Sequence, residues 1–222
     1  MSLKEDSLNQ YYNNHQHSVL LYNDTRNRDT YLINYINEGL NKNELCIYGA
    51  IDLRDKESLE IAPHIVDYEK NIIESNLMIV DLAPYYIAAL TEDLIFFEKI
   101  KKEISEKIQN RRKNKKIRLM SDCAGFLFEN KHFAQCESLE GWWQHQKPFE
   151  GSCMCLYPKA LFEKYPFNLH KEYAILKQHD SVIDTAENIV NKELIENELE
   201  RNNSSGEISC NEDEKKGEGL IS

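Results

Sequence analysis

"HSVLLYNDTRNRDTYLINYINEGLNKNELCIYGAI", residues His17 to Ile51, decides the fold class. HSVLLY is a short apolar run with β-branched and aromatic members, and such a run bounded by turn residues reads as a strand. Asn23, Asp24 and Thr25 follow, with side chains that can accept from the free amides of a first helical turn. Leu32, Tyr35, Ile36 and Leu40 then recur at helical spacing, and Gly39 with Asn41-Lys42-Asn43 closes that segment. LCIYGAI, Leu45 to Ile51, is apolar almost throughout, as a parallel strand covered on both faces tends to be. The order is strand, helix, strand. Units of this kind often cradle a phosphate between the first strand and the first helix, using glycines, a lysine and a hydroxyl. Here no glycine lies between Tyr22 and Leu32, and none of the chain's eight glycines stands in GxxxxGK[ST] or GxGxxG spacing. Nucleotide hydrolysis by the usual apparatus is therefore not expected.

The alternation continues outward. Tyr68, Ile72 and Ile73 suggest a short helix leading into LMIVDLAP, Leu77 to Pro84, a buried strand with an acid near its end. Phe96, Phe97, Ile100, Ile104 and Ile108 form an apolar stripe that predicts a helix from Thr91 to Arg112. IRLMSDC, Ile117 to Cys123, reads as a strand, and a helical stretch runs through Phe133, Cys136, Leu139 and Trp143. SCMCLYP, Ser152 to Pro158, is another strand, with PKALFEKY a short helix after it. Leu169, Tyr173 and Leu176 mark a last helix ending near His179-Asp180. The fold class expected is α/β, a three-layer, mostly parallel sheet flanked by helices, with right-handed crossovers. Ligands in such sheets sit beyond the carboxyl ends of the strands. Those ends carry Tyr22, Asn23 and Asp24; Asp52; Asp81, Tyr85 and Tyr86; and Asp122. Asp81 stands out, because a carboxylate at the end of a buried strand must be solvated, paired or bound to something.

A chain of 222 residues at 41% hydrophobic supports one domain with a tail. Its apolar runs are too short to span a bilayer and its start is polar, so a cytoplasmic protein without a membrane segment is expected. Six cysteines without a secretory signal favour free thiols. The net charge of −11 opposes attraction to nucleic acid or anionic lipid. RRKNKKIR, Arg111 to Arg118, opposes that trend, but it follows a helix that starts with Glu92 and Asp93. The pattern complements a helix dipole, so a solvated helix end outweighs a nucleic-acid patch.

HSVLLYND, INEGLNKNELCIY, IRLMSD, CMCLYP and ILKQHDSVI, in that order, resemble the MEDS domain, the methanogen/methylotroph DcmR-type sensory domain. The resemblance covers roughly His15 to Ile183. It implies a KaiC/RecA-like core that has lost its Walker A loop, and a sensory role toward a small organic ligand such as a hydrocarbon derivative. Carried over by position, the family's opening histidine falls on His17, the aromatic after its first strand on Tyr22 and the glycine of its EGL block on Gly39. The cysteine-aromatic pair of the late strand falls on Cys155 and Tyr157, and the late histidine on His179. The chain departs from the pattern at Leu156, Pro158 and Asp180. No helix-turn-helix or kinase module is visible, so a signalling kinase or transcription regulator in trans is the implied partner, and a homodimer stays open.

The domain reading is a polar lead over 1–14, a MEDS-like sensory domain over 15–183, an amphipathic helix over 184–201 and an acidic disordered tail over 202–222 containing Cys210. The ligand-binding set expected is His17, Tyr22, Asp24, Asp81, Tyr85, Tyr86, Asp122, Cys155, Tyr157 and His179. Twelve tyrosines suit a pocket with aromatic walls, though half-buried tyrosines are as often core edges. Cys153 and Cys155 share one strand face and could both reach a soft metal with His17 or His179. A lone C-x-C pair is better read as packing, so no metal and no cofactor is expected. Cys123, a histidine and Asp122 could assemble a hydrolase, but no nucleophile elbow is present and no catalytic residue is assigned. In EGWWQHQ, Trp143 can pack inward with Leu139 while Trp142 faces elsewhere, because adjacent helical positions diverge by about 100°. A non-enzymatic sensor is the leading reading. A structural interaction module with a vestigial pocket and a degenerate nucleotide-binding protein are the alternatives.

Overall fold

In a computed structural model of the chain, which describes residues 17–51, 61–91, 93–146, 150–164 and 175–185, the opening stretch folds as β1 (His17–Tyr22), α1 (Thr25–Asn41) and β2 (Leu45–Ala50). Asp24 caps α1 by accepting from the Asn27 amide at 2.8 Å, as the Asn-Asp-Thr turn suggested. A 3₁₀ turn (Ala62–His64) and α2 (Tyr68–Ile73) lead to β3 (Leu77–Asp81), followed by α3 (Ala83–Leu90) and α4 (Leu94–Arg112). Next come β4 (Ile117–Ser121), α5 (Cys123–Glu129), α6 (Phe133–Gly141) and a π-helical turn (Trp142–Gln146). β5 (Gly151–Pro158), α7 (Ala160–Lys164) and β6 (Ser181–Asp184) complete the described elements.

The strands form one parallel sheet in the order β3-β2-β4-β5-β1-β6. Its two faces are packed differently. His17, Val19 and Leu21 alternate with Ser18, Leu20 and Tyr22 along β1, and the register pairs His17 with Cys153 and Val19 with Cys155. On the front face, Val19, Ile47, Cys153, Cys155 and Tyr157 pack against Tyr85, Phe97, Ile108, Phe128, Cys136 and Trp143 from α3 to α6 and the π turn. On the back face, Leu20, Tyr48, Met120 and Leu156 meet Leu32, Tyr35 and Ile36 of α1. Among the described residues no helix is long and apolar enough to cross a membrane, and all five described cysteines are free and buried.

The structure corrects the sequence reading in five places. The apolar stripe helix starts at Leu94, where Asp93 accepts from the Phe96 amide at 3.0 Å. The preceding Ala83–Leu90 is a separate helix with proline in its first turn, so Tyr85 and Tyr86 are helical rather than strand-end residues. Cys123 opens α5 instead of closing β4, and Ser181–Asp184 is a strand that the sequence did not announce. Finally, Arg118 is not part of a solvated helix end: it lies in β4, 2% exposed, against Glu38 and Glu44. Asp52, the expected helix through Leu169 and Tyr173, and the segments before 17 and after 185 lie outside the described residues.

Candidate functional site: a buried histidine, glutamate and cysteine cluster

Four of the sequence-derived candidates converge on the front face, under α6. His17 opens β1, Cys155 and Tyr157 project from β5 by period-two alternation, and His179 ends the turn before β6. The fifth member, Glu140, comes from the last turn of α6 and is 1% exposed. Its Oε2 lies 3.1 Å from His17 Nε2, 3.2 Å from His179 Nε2 and 3.2 Å from Cys155 Sγ. Cys155 Sγ is also 3.5 Å from His17 Nε2. The other carboxylate oxygen, Oε1, accepts from the Tyr157 hydroxyl, and that hydroxyl sits 3.4 Å from Cys136 Sγ.

Both imidazoles are fixed from behind. His17 Nδ1 donates to the Gln178 carbonyl at 2.9 Å, and His179 Nδ1 donates to the Ile175 carbonyl at 2.8 Å. A carbonyl oxygen can only accept, so the Nδ1 atoms carry protons and the Nε2 atoms are turned to the cluster. Asp180 anchors the backbone there: its Oδ2 accepts from the His17 amide at 2.9 Å, and its own amide donates to the His17 carbonyl at 2.7 Å. The two imidazole rings lie 4.0 Å apart between centroids.

Burial opposes charge on His17, but Cys155 and Glu140 beside it outweigh that and push its pKa up to about 10. Burial also opposes ionisation of Glu140, yet His179 and His17 hold the carboxyl well below the usual carboxylate range. Burial and then the neighbouring His17 lower His179. Hydrogen bonding with Cys153 and burial push the Cys155 thiol well up, and burial does the same to Tyr157. These directions favour charge on His17 and on Glu140 and oppose it on His179.

Beside the cluster lies a narrow cavity of about 50 Å³ between the front face and α3 to α6. Its walls include Ile47, Tyr85, Ile108, Trp142 and Trp143, together with Glu140 and Cys155 of the cluster. Roughly 10 to 15 Å³ on this measure houses one water, so the space suits a molecule of a few heavy atoms. Trp143 packs inward as its position suggested, while Trp142 is half-buried, lines the cavity and has the Lys101 ammonium 5.8 Å above its ring.

The remaining candidates lie outside this cluster. Asp24 is exposed at the start of α1, and Asp81 is exposed and accepts from the Ala83 amide at 2.9 Å, closing the turn into α3. Asp81 also borders a broad groove shared with Glu103, Lys107 and Arg111 of α4. Tyr22 is half-buried with the Arg28 guanidinium 5.8 Å from its ring. Tyr86 packs edge-on against Phe126 at 4.9 Å, and Asp122 precedes α5, half-buried. Tyr85 is buried edge-on against Phe97 at 5.3 Å and reaches the cavity wall.

Glu140 was missed from sequence, although a signal existed. Phe133, Cys136, Glu140 and Trp143 fall at helical spacing on one face, and an acid in such an apolar stripe must find buried partners. The convergent set also sits beneath the sheet face, at the start of β1 and the middle of β5, rather than beyond the carboxyl ends of the strands.

Comparison with protein families matches residues 16–167 to the model described as MEDS, the methanogen/methylotroph, DcmR sensory domain. The match includes His17, Glu140, Cys155 and Tyr157 and stops short of His179. No curated protein matches the chain.

Proposed function

Because the chain belongs to this family of sensory domains, we propose that it senses a small, largely apolar organic molecule held in the front-face cavity and reports the occupancy to a separate regulator or kinase. The observation that supports this reading is the cavity itself: lined mostly by aliphatic and aromatic side chains, sized for a few heavy atoms, and carrying Glu140 and Cys155 in its wall to orient a polar substituent. The role is binding, with no catalytic step assigned. α3 supplies the reporting element. Its Tyr85 lines the cavity, while Ile87 and Leu90 on the same helix are each 55% exposed, beside the exposed Leu94 and Ile95 that begin α4. Occupancy that shifts Tyr85 would move an apolar surface available to a partner.

The test is a thermal-shift and calorimetric titration of the full chain with halogenated, methylated and oxygenated C1 to C4 compounds. Preferential binding to the native state raises the melting temperature saturably, by roughly RT ln(1 + [L]/Kd) in free energy. The response is expected to survive Asp81→Ala and to vanish in Leu119→Phe, which fills the cavity from β4 and whose own unfolding transition reports whether it folds. Loss in Asp81→Ala with retention in Leu119→Phe would move the site to the strand ends. Silence across the panel would count against the sensor reading.

A further inference from the structure

The buried cluster has more lone pairs than protons to separate them. With both Nδ1 atoms donating to carbonyls, a neutral imidazole presents an Nε2 lone pair, and both Nε2 atoms are aimed at the same carboxylate oxygen. Protonating both would place two imidazolium rings 4.0 Å apart in the interior against a single carboxylate, which leaves a positive charge uncompensated where water cannot reach it. Protonating only one leaves the other lone pair facing Oε2. His179 Nε2 is that atom: it is fully buried, and among the described residues it makes no aligned hydrogen bond, with Glu140 Oε2 3.2 Å away.

We propose that His17 Nε2, His179 Nε2, Glu140 Oε2 and Cys155 Sγ bind one divalent cation of the zinc class. Two nitrogens, one carboxylate oxygen and one sulfur are the donors that such ions take. The four donor atoms lie within 4.8 Å of one another. The closest pairs are 3.1 to 3.5 Å apart, near the edge of roughly 3.3 to 3.7 Å in a tetrahedron with metal bonds of about 2.0 to 2.3 Å. The outer contacts also fit. Metal-bound histidines as a rule donate their second ring nitrogen to a carbonyl or carboxylate, and ligating carboxylates are themselves hydrogen-bonded; the Gln178 and Ile175 carbonyls and the Tyr157 hydroxyl occupy those positions here. On binding, the thiol proton of Cys155 and the remaining Nε2 proton leave to solvent, and the cation takes their place among the four lone pairs. The residues come from β1, α6, β5 and the turn before β6, so the ion would tie the edge of the sheet to the helix layer.

This site does not rest on the sensor reading, and it is measured without any organic compound. The full chain, stripped with a chelator and titrated with zinc and with cobalt(II), is expected to take up about one ion per chain. The cobalt form is expected to show a thiolate-to-cobalt charge-transfer band and ligand-field bands of tetrahedral intensity. Cys155→Ser should abolish the charge-transfer band, Cys153→Ser should keep it, and His179→Ala should weaken binding at least tenfold, since one of the four ligands is lost. If His179→Ala does not fold, the cysteine pair of variants decides. A folded wild-type chain that takes up no stoichiometric ion would overturn the proposal while leaving the cavity reading standing, and so would a charge-transfer band that persists in Cys155→Ser.

Discussion

The two faces of one sheet each bury a charged cluster, and the clusters are built on opposite terms. On the back face Arg118 is 2% exposed, and its fork of donors is met from its own chain: Nε donates to Glu44 at 2.5 Å, and Nη1 donates to Glu38 at 3.1 Å and to the Tyr35 carbonyl at 3.3 Å. The guanidinium also lies 4.7 Å from the centre of the Tyr35 ring, and the side chains of Glu38 and Glu44 keep 17% and 16% of their surface in water. Every group there has a partner or solvent. On the front face Glu140, His17 and His179 are buried, and the Nε2 of His179 faces the Glu140 carboxylate without an aligned hydrogen bond. Desolvation makes a buried charge costly unless its compensation is present. The back cluster carries its compensation as a permanent arginine charge, whereas the front cluster carries it as a proton on an imidazole, which a bound cation would replace.

Arg118→Met should therefore produce the largest loss of stability in the molecule's charged interior, about 3 kcal/mol, because it strands the half-buried Glu44 and leaves Glu38 only the exposed Lys42 as a cation. Urea unfolding with and without zinc measures it. The loss should be the same in both conditions, since nothing in the back cluster awaits a cation. A loss below about 1 kcal/mol, the range of an exposed ion pair, would mean that the arginine is less committed than its contacts indicate and would break the contrast.

The same cluster sets the sign of a smaller effect. In a helix interior, replacing glycine by alanine ordinarily stabilises by about 1 kcal/mol. At Gly39 of α1 an added Cβ would stand 2.5 Å from Cys46 Sγ and 2.6 Å from Arg118 Cδ, closer than any relaxed contact. Gly39→Ala is expected to destabilise by about 2 kcal/mol, through overpacking. Combining it with Cys46→Ala should recover part of that loss, which a double-mutant cycle in thermal unfolding would read. A stabilised Gly39→Ala would show that Arg118 can move aside, and hence that the back cluster is loose.

How much of this was legible beforehand differs between the faces in an instructive way. β1 to β5 and α1 announced themselves because apolar runs and 3.6-residue stripes are local signals. α3 and α5 did not, since APYYIAAL and CAGFLFE continue directly from strand ends and are apolar on nearly every side. β6 has only four residues. His17, Cys155, Tyr157 and His179 were reached through the order of blocks along the chain, not through their geometry, because nothing local links positions 17, 140, 155 and 179. Glu140 was hidden among apolar neighbours, and Arg118 was hidden in a basic run whose other members end a solvated helix. The rule that parallel sheets bind at their carboxyl ends drew attention to Asp24, Asp81 and Asp122, the first two of which are exposed at helix starts. Charges that are solvated and charges that are buried look alike in sequence until the strand alternation around them is used.

The finest test of the contrast is a single hydroxyl. Tyr157 is fully buried, stacks edge-on near Phe128 and Phe162, and gives its proton to Glu140 Oε1. Tyr157→Phe keeps the ring and its packing and removes one donor from the carboxylate. The expected cost in the chelated protein is about 1 kcal/mol, the net value of one such bond. The larger consequence lies in metal affinity. An unsupported carboxylate is a poorly oriented ligand, so zinc affinity measured by chelator competition should fall by about 10 to 100-fold with the stoichiometry unchanged. An affinity equal to wild type, in a variant that has lost the expected stability, would assign the hydroxyl to the protein's own interior and leave Glu140 oriented by the two histidines alone.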